Sequence, residues 1–255
     1  MYYKTRIITS FIIILFCQFG QSQSLIEKHL GEKMRFRIHY GFINAAEAFI
    51  SSDLNNGEKG VKINVVGQST GVFALLSPVQ DEWHAILNPK TWKPYKTSFK
   101  KREINYRKSQ NAQYDYKKGV ILVEDKRKKI EEKIYPLEDE INDMLGVYAE
   151  IRNEDFSDWV PGKKIPKKIF LEEKNYDLVF IVKGKDEIKI NENKIPSKLL
   201  IIKFPKNSFL SDKEDIRLWV SDDEYHIPLK IEVELSIGHL SIDLEEYLIK
   251  DKKIY

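Results

Sequence analysis

Cysteine is almost absent from this sequence. Cys17 is the only one among 255 residues, and it lies in an N-terminal segment that we expect to be removed. The predicted mature chain therefore has no disulfide, and packing alone must stabilise it. Histidine is also scarce, with 5 residues. So few thiols and imidazoles argue against a structural zinc site, and we predict neither a metal nor a cofactor.

A strong charge of one sign is lacking as well. The formal net charge is +3, and Lys4 and Arg6 supply two of those positive charges within the same N-terminal segment, which leaves +1 for the remainder. This balance gives no reason to expect nucleic acid as a partner. The phosphate-binding loop, the dinucleotide fingerprint and the H-E-x-x-H motif are all missing from the sequence. We therefore assign no catalytic residue and favour a protein that is not an enzyme.

Long apolar runs are missing except at the N-terminus. A basic start precedes an apolar run from Ile7 to Phe16, and small and polar residues follow. About 20 residues are needed to span a bilayer, so residues 1–22 are predicted to be a signal peptide cleaved after Ser22. Phe16 before Cys17 does not fit a lipoprotein signal, which requires a small residue there, but the sequence leaves lipidation open. We expect residues 23–255 to form one domain in the periplasm, with outer-membrane association left open.

Period-two alternation of apolar and polar residues dominates the chain, which predicts an all-β protein. The clearest case runs from His226 to Tyr247, where the phase of the alternation slips after Gly238. We interpret the slip as a β-bulge at Gly238-His239 that bends one very long strand. Long bent strands are typical of strongly curved antiparallel sheets and of open or incomplete β-barrels.

Two segments depart from the strand pattern and predict one or two short helices. Thr70 to Ser77 has clustered apolar residues, which indicates a short helix or loop that plugs one end of the curved sheet. Leu145 and Ile151 belong to a series at helical spacing, and Pro136 stands where that helix is predicted to begin.

Three blocks of sequence together resemble a known family. They are GEKMRFRIHYGFINAAEA, which begins at Gly31, TGVFALLSPVQDEWHAILNPKTWKP, and IRLWVSDDEYHIPLKIEVELSIGHLSIDLEEY, which ends at Tyr247. In this order they are similar to the DUF3108 family of exported bacterial proteins, common in Bacteroidetes and Proteobacteria. The resemblance implies a mostly antiparallel β protein, similar in shape to the open barrels of lipoprotein carriers. It implies no activity and no catalytic residue.

A curved sheet that does not close leaves a concave apolar face, which a helix or a ligand must fill. We therefore predict a groove for a lipid, an acyl chain or another amphipathic ligand. The large apolar residues outside the plain alternation are the candidates for its lining, although the same residues are also the usual choice for simple core packing. The predicted groove residues are Phe73, Leu75, Leu76, Trp83 and Trp219.

A polar cluster at Ser221, Asp222, Asp223 and His226 contains the residue types of a serine hydrolase. A nucleophilic serine usually lies in a sharp turn flanked by glycines, and Ser221 has no such neighbours. An acidic hairpin turn whose side chains bond their own backbone is the favoured interpretation. Hydrolysis through Ser221 and His226 remains the less favoured alternative.

The stretch Lys96–Lys133 is strongly basic, with 13 basic and 6 acidic residues. Such a stretch is typical either of a solvated strand face that protects a sheet edge or of a surface that binds a partner. We expect that partner to be an acidic membrane surface or an envelope protein rather than nucleic acid. A scaffold that uses this hairpin and its sheet edges is the alternative to a ligand carrier.

Overall fold

A computed structural model describes residues 29–55, 60–104, 106–126, 132–204, 216–234 and 238–255. The predicted signal peptide, Cys17 and residues 235–237 lie outside the described residues. Strands account for most of the described residues, and they form a single sheet of sixteen strands. The strands are β1 Glu32–Tyr40, β2 Ile43–Leu54, β3 Val61–Ser69, β4 Gln80–Leu87, β5 Pro94–Arg102, β6 Arg107–Asp115, β7 Val120–Asp125, β8 Lys133–Pro136, β9 Ile141–Asn142, β10 Lys164–Leu171, β11 Lys174–Ile190, β12 Asn193–Lys203, β13 Ile216–Ser221, β14 Pro228–Glu234, β15 His239–Ile249 and β16 Lys252–Lys253.

The described residues also contain three short helical segments. They are α1 Gly71–Leu76, α2 Met144–Arg152 and the 3₁₀ helix Phe156–Asp158. None of the helices in the described ranges is both long enough and apolar enough to cross a membrane.

The sheet is antiparallel throughout its order β8-β7-β6-β5-β4-β3-β2-β1-β15-β14-β13-β12-β11-β10, and only the last pair, β10 with β9, is parallel. β8 and β9 occupy the two ends of this order, yet they are consecutive in the chain and only residues 137–140 separate them. The sheet must therefore curve strongly enough to bring its ends together, although no ladder among the described strands closes it into a barrel. The expected all-β, open and strongly curved architecture is confirmed.

Irregular pairing helps to produce this curvature. The register shifts within β1, between Arg35 and Phe36, and within β11, between Val182 and Gly184. An extra residue on one strand bends that strand and increases its twist. β11 is 17 residues long. A long bent strand is therefore present, but not between His226 and Tyr247, where the sequence pattern predicts it.

The prediction of one long strand from His226 to Tyr247 is wrong in detail. β14 and β15 are separate strands that pair antiparallel, with Glu234 opposite His239. The phase slip therefore falls at the connection between two paired strands rather than at a bulge within one strand. A turn and a bulge both reset the alternation of side chains by a residue, so the pattern alone does not distinguish them.

α2 begins eight residues later than the helix predicted from Pro136. Pro136 is the last residue of β8, and the Asp143 side chain caps α2 by accepting from the Gly146 amide at 2.7 Å. An aspartate at the N-cap satisfies an amide that has no partner within the helix. Residues 138–140, which the prediction from Pro136 assigned to the first turn of the helix, lie in the connection before β9.

α2 lies against the concave face of the sheet and contacts both of its halves. Leu145 and Ala149 pack on β3 and β4, while Val147 and Ile151 pack on β10, β11 and β12. Gly146 allows a close approach, because an added Cβ would lie 2.7 Å from the Trp92 carbonyl oxygen and closer still to the Asn142 side chain. The helix therefore fills much of the interior that the open sheet encloses.

Alternating strand directions place the connections at two ends of the sheet. The β1–β2 turn, α1, the β5–β6 turn and the β10–β11 turn share one end, which we call the α1 end. α2 runs from the α1 end toward the opposite end of the sheet. Its N-cap, Asp143, lies near the end of β10, and its last residue, Arg152, contacts Glu32 at the start of β1. The opposite end is consequently closed by the C-terminus of α2, and the interior near the α1 end is left less filled.

Candidate functional site

An apolar pocket of about 260 Å³ occupies the concave face beyond the N-terminus of α2. Ligand sites are concave and mostly apolar, and typically measure about 300–1,000 Å³, so this volume suits one part of a ligand, such as an acyl tail. β4, β5 and β6 form one wall, the end of β10 forms the other, and the start of α2 forms the floor. The main apolar lining residues are Trp83, Phe99, Ala112, Met144, Leu145 and Phe170.

The β10–β11 turn lies beside this pocket and joins the two ends of the sheet through side chains. Glu172 accepts from Lys101 at 2.5 Å, and Glu173 accepts from Lys133 and Tyr135 at 2.6 Å each. We call these contacts of Glu172 and Glu173 the carboxylate latch. They connect β10 and β11 to β5 and β8, which no ladder connects.

Backbone geometry at the latch is unusual. Glu172 and Glu173 both have positive φ, at 48° and 67°. Two consecutive residues in this region form the tight hairpin turn that favours Asn-Gly, and a side chain there carries a steric cost. The turn therefore has a strained backbone, and this conformation places two carboxylates across the gap in the sheet.

The floor of the pocket contains a buried acid. Burial raises the pKa of Asp143 to about 6, and hydrogen bonds from the Gly146 and Leu145 amides only partly oppose this effect. A buried carboxyl group with a raised pKa in a pocket is a common feature of functional sites, and it also occurs in structural networks. Here the same carboxylate caps α2, so it links the pocket floor to the helix.

Of the predicted groove residues, Trp83 is the one that lines this pocket. Phe73, Leu75 and Leu76 lie on α1, so of the short helix or loop predicted there the structure has the helix, but it leaves α1 without a buried residue. Leu75 is 85% exposed and Leu76 72% exposed. α1 therefore lies on the surface at the α1 end instead of plugging the interior.

Trp219 lies on the other face of the sheet from Trp83. Its neighbours Leu218 and Val220 face the core, so Trp219 faces outward, where its Nε1 donates to Asp186 at 2.7 Å. The Lys230 ammonium lies 5.6 Å from the centre of its ring. The structure thus does not bring the five predicted groove residues together.

Ser221, Asp222, Asp223 and His226 do come together, and their contacts are those of a turn. The Ser221 hydroxyl donates to Asp223 at 2.7 Å and accepts from the Ile227 amide at 2.8 Å. Asp223 also accepts from the His226 amide. These bonds commit the serine hydroxyl and the Asp223 carboxylate to holding the β13–β14 connection.

His226 and Asp222 likewise make structural contacts. The His226 Nδ1 bonds the Arg152 carbonyl oxygen at 2.9 Å, and its ring stacks on Phe156 with 3.7 Å between ring centres. Asp222 lies 3.6 Å from the buried Lys198 ammonium. This cluster therefore fastens the C-terminal end of α2 and the 3₁₀ helix to the sheet.

A buried ion pair completes the closure of this opposite end. Arg152 donates to both oxygens of Glu32, at 2.7 and 2.8 Å, and also to the Tyr225 and His226 carbonyl oxygens. The Tyr247 hydroxyl donates to the same carboxylate at 2.5 Å. Although burial opposes ionisation, the Arg152 guanidinium lowers the pKa of Glu32 to about 2. These contacts close this end of the sheet, whereas the pocket lies nearer the α1 end, beside the β10–β11 turn.

The basic stretch Lys96–Lys133 forms β5 to β7 and the start of β8, apart from residues 105 and 127–131, which lie outside the described residues. Part of its charge is paired within the protein, by Lys100 with Glu82 at 3.1 Å and by Lys101 and Lys133 in the carboxylate latch. Within the described ranges, no cluster of three or more histidine, cysteine or acidic side chains is arranged to hold a metal ion.

Most of the pocket could not be found from the sequence. Ala112 and Phe170 belong to ordinary strand patterns, and they become neighbours only because the two ends of the sheet meet. Asp143 carried a usable signal, since aspartate directly before a helical series is a favoured N-cap. Recognising that signal would have placed the helix correctly and brought Asp143 and Met144 to its start.

Fold and pocket together define a class: β proteins whose open, strongly curved sheet wraps around a helix. Residues 35–245 match the family described as protein of unknown function DUF3108, and the chain belongs to this family. Since that description names no activity, the family establishes the relationship and not the function.

One solved structure has a similar fold. A β-barrel-like protein of the domain of unknown function DUF1849, from Brucella abortus, is similar with a TM-score of 0.61 and 10% identity, over 88% of this chain and 99% of that one. At this identity the likeness concerns the fold alone.

Two further structures align over most of their length with much lower similarity. The hypothetical protein CT021 from Chlamydia trachomatis has a TM-score of 0.33 and 13% identity over 91% of this chain and 96% of that one. A lipoprotein candidate from Parabacteroides distasonis has a TM-score of 0.34 and 10% identity over 87% and 96%. No curated protein matches the chain.

Proposed function

We propose that the protein is a non-enzymatic, exported cell-envelope protein that binds an amphipathic ligand in the pocket above α2. The observation that carries this proposal is the pocket itself, an apolar cavity of about 260 Å³ within the concave face. Transfer of a methylene group from water to such a surface contributes about 0.8 kcal/mol. Burial of an acyl chain of modest length therefore contributes enough free energy for binding.

Polar groups beside the pocket explain why the ligand should be amphipathic. Lys101 and Gln110 both line the pocket and both bond carboxylates of the β10–β11 turn, at 2.5 and 3.2 Å. A ligand with a carboxylate or phosphate head could accept from Lys101 in place of Glu172, while its tail enters between Phe99 and Phe170. The N-terminal signal pattern of residues 1–22 supports the cell envelope as the place where such a ligand is met.

Native mass spectrometry of the protein purified without detergent tests this proposal. We expect a reproducible added mass that organic solvent removes, or a saturable adduct when palmitate is added to the stripped protein. The substitution Ala112→Phe fills the pocket and should reduce the adduct at least about tenfold, because the tail loses its cavity. Asn111→Phe is the matched control, since it lies on the same strand and faces the other side.

Ala112 is buried, so the substitution could impair folding. Met144→Trp provides a second way to fill the pocket from a partly buried position on the floor, and urea unfolding checks each variant. A stripped protein that forms no adduct with palmitate or with phosphatidylglycerol contradicts the proposal. Equal adducts in all folded variants contradict the assignment to this pocket.

A further inference from the structure

We infer that the α1 end is a docking surface for an anionic membrane. Nine of the fourteen large apolar residues exposed in the described part of the chain lie at this end. Soluble proteins rarely expose apolar side chains in such a concentration unless the surface has a partner. The nine residues are Tyr40, Phe42, Ile43, Val72, Phe73, Leu75, Leu76, Ile104 and Tyr106.

The topology brings these residues to neighbouring positions. Phe42 is in the β1–β2 turn, and α1 stands next to that turn because the Thr70 amide, at its start, donates to the Ala45 carbonyl oxygen at 2.9 Å. A shallow depression lined by Ala74 of α1 and by Ile104 joins α1 to the β5–β6 turn. Three separate connections thus present apolar side chains on one continuous surface.

Several of these side chains are largely exposed within the described part of the chain. Phe42 is 96% exposed, Leu75 85% and Leu76 72%. α1 has no buried residue, so its apolar composition contributes little to the stability of the core. A short apolar helix and two apolar turns at one end are typical of a protein that inserts shallowly at a bilayer interface.

Charge determines which membrane fits. The segment that forms the β5–β6 turn and the adjoining strand ends, residues 100–108, contains five basic residues and one acidic residue. Two of the five, Lys100 and Lys101, pair with Glu82 and Glu172, and the others are Arg102, Arg107 and Lys108. Arg102 and Arg107 are exposed and line the same depression as Ile104. Basic side chains beside an apolar surface attract anionic lipid headgroups. Tyr106 beside them has the aromatic character that favours the headgroup region.

This surface does not depend on the proposed ligand pocket, since α1 lies outside that pocket. The two are nevertheless compatible in place, because Lys101 and Glu172 beside the pocket belong to the same end of the sheet. A protein docked through the α1 end would present that side of the pocket to the bilayer. The docking test is therefore designed to be independent of any bound ligand.

Vesicle flotation with the purified protein tests the inference. Vesicles of phosphatidylcholine containing about one third phosphatidylglycerol should bind the protein more strongly than phosphatidylcholine alone, and added salt should weaken the binding. The double substitution Leu75→Ser and Leu76→Ser should reduce the partition coefficient about tenfold, because two inserted apolar side chains are lost. Both residues are exposed, so folding should be retained.

A matched control uses the opposite end of the sheet. Leu54 and Val160 are each 60% exposed there, and Leu54→Ser with Val160→Ser removes similar apolar area. All variants carry the same N-terminal segment, so its contribution cancels in the comparison. A loss with the α1 variant alone supports the docking surface. Equal binding by the α1 variant and the native protein, an equal loss in the control, or no vesicle binding overturns it.

Discussion

At the scale of single residues, Asp143 carries the clearest cost in stability. It caps α2 from a buried position on the pocket floor, and burial raises its pKa from an ordinary 3.8 to about 6. The folded protein therefore retains a proton between these values that the unfolded chain has released, so its stability falls as pH rises through this range. Above about pH 6 the full cost of burying the ionised group is present.

Asp143→Asn should consequently stabilise the protein at pH 8, by about 1–3 kcal/mol of unfolding free energy. Asparagine retains an oxygen for the Gly146 amide and removes the buried charge. Urea unfolding at pH 8 and pH 4 measures the effect, and the gain should shrink at pH 4, where the aspartate is largely protonated. Asp155→Asn is the control, because Asp155 caps the 3₁₀ helix with a lowered pKa. A destabilised Asp143→Asn variant at pH 8 contradicts this account.

At the scale of elements, the Glu32–Arg152 ion pair attaches α2 to the sheet. Both side chains are almost fully buried, and Arg152 is the last residue of α2 while Glu32 is the first of β1. Removing one member of a buried pair leaves the other charge without compensation, which costs about 3–5 kcal/mol. Arg152→Met should lower the free energy of unfolding by that amount.

The neighbouring exposed pair of Lys33 and Asp251 provides the control. Lys33→Met should cost much less than Arg152→Met, because surface ion pairs contribute little. The pH dependence separates the two pairs further. Since the pKa of Glu32 is lowered to about 2, its contribution is present above about pH 4.5 and is lost as pH falls toward 2. Glu32→Gln should flatten this acid loss in urea unfolding, and an unchanged acid profile would show that the pair is not the cause.

Elements also show how far the sequence predicts this fold. Alternation in β1 to β6 and in β10 to β15 is strong enough to predict the strands, because each has one face on the core. The β14–β15 hairpin was not separable from a bulged strand, because both shift the phase of alternation. The Glu32–Arg152 pair had no local signal, since 120 residues separate its members. The pattern therefore predicts which residues form strands. It does not predict the order of the strands in the sheet or the contacts between distant residues.

At the scale of the whole molecule, the carboxylate latch holds together a sheet that hydrogen-bonded ladders leave open. Hydrogen bonds from Lys133 and Tyr135 hold the pKa of Glu173 below its usual value, and Lys101 does the same for Glu172. The latch therefore contributes above the ordinary carboxyl pKa and weakens as pH falls below it. Its side chains are partly exposed, so its contribution to global stability is small, and its effect should appear in local opening.

Glu172→Gln with Glu173→Gln should consequently leave urea unfolding nearly unchanged, within about 1 kcal/mol. Hydrogen exchange of amides in β7, β8 and β10 should become faster, because the two ends of the sheet separate more often. Glu187→Gln is the matched control, since Glu187 pairs with Lys194 at the other end of β11. It should leave exchange in β7 and β8 unaltered. If the double variant exchanges as the native protein does, backbone curvature and the packing of Phe170 on Tyr135 hold the ends together. If exchange accelerates, the two strained glutamates act as the closure of the pocket, and release of a bound amphipathic ligand should accelerate with it.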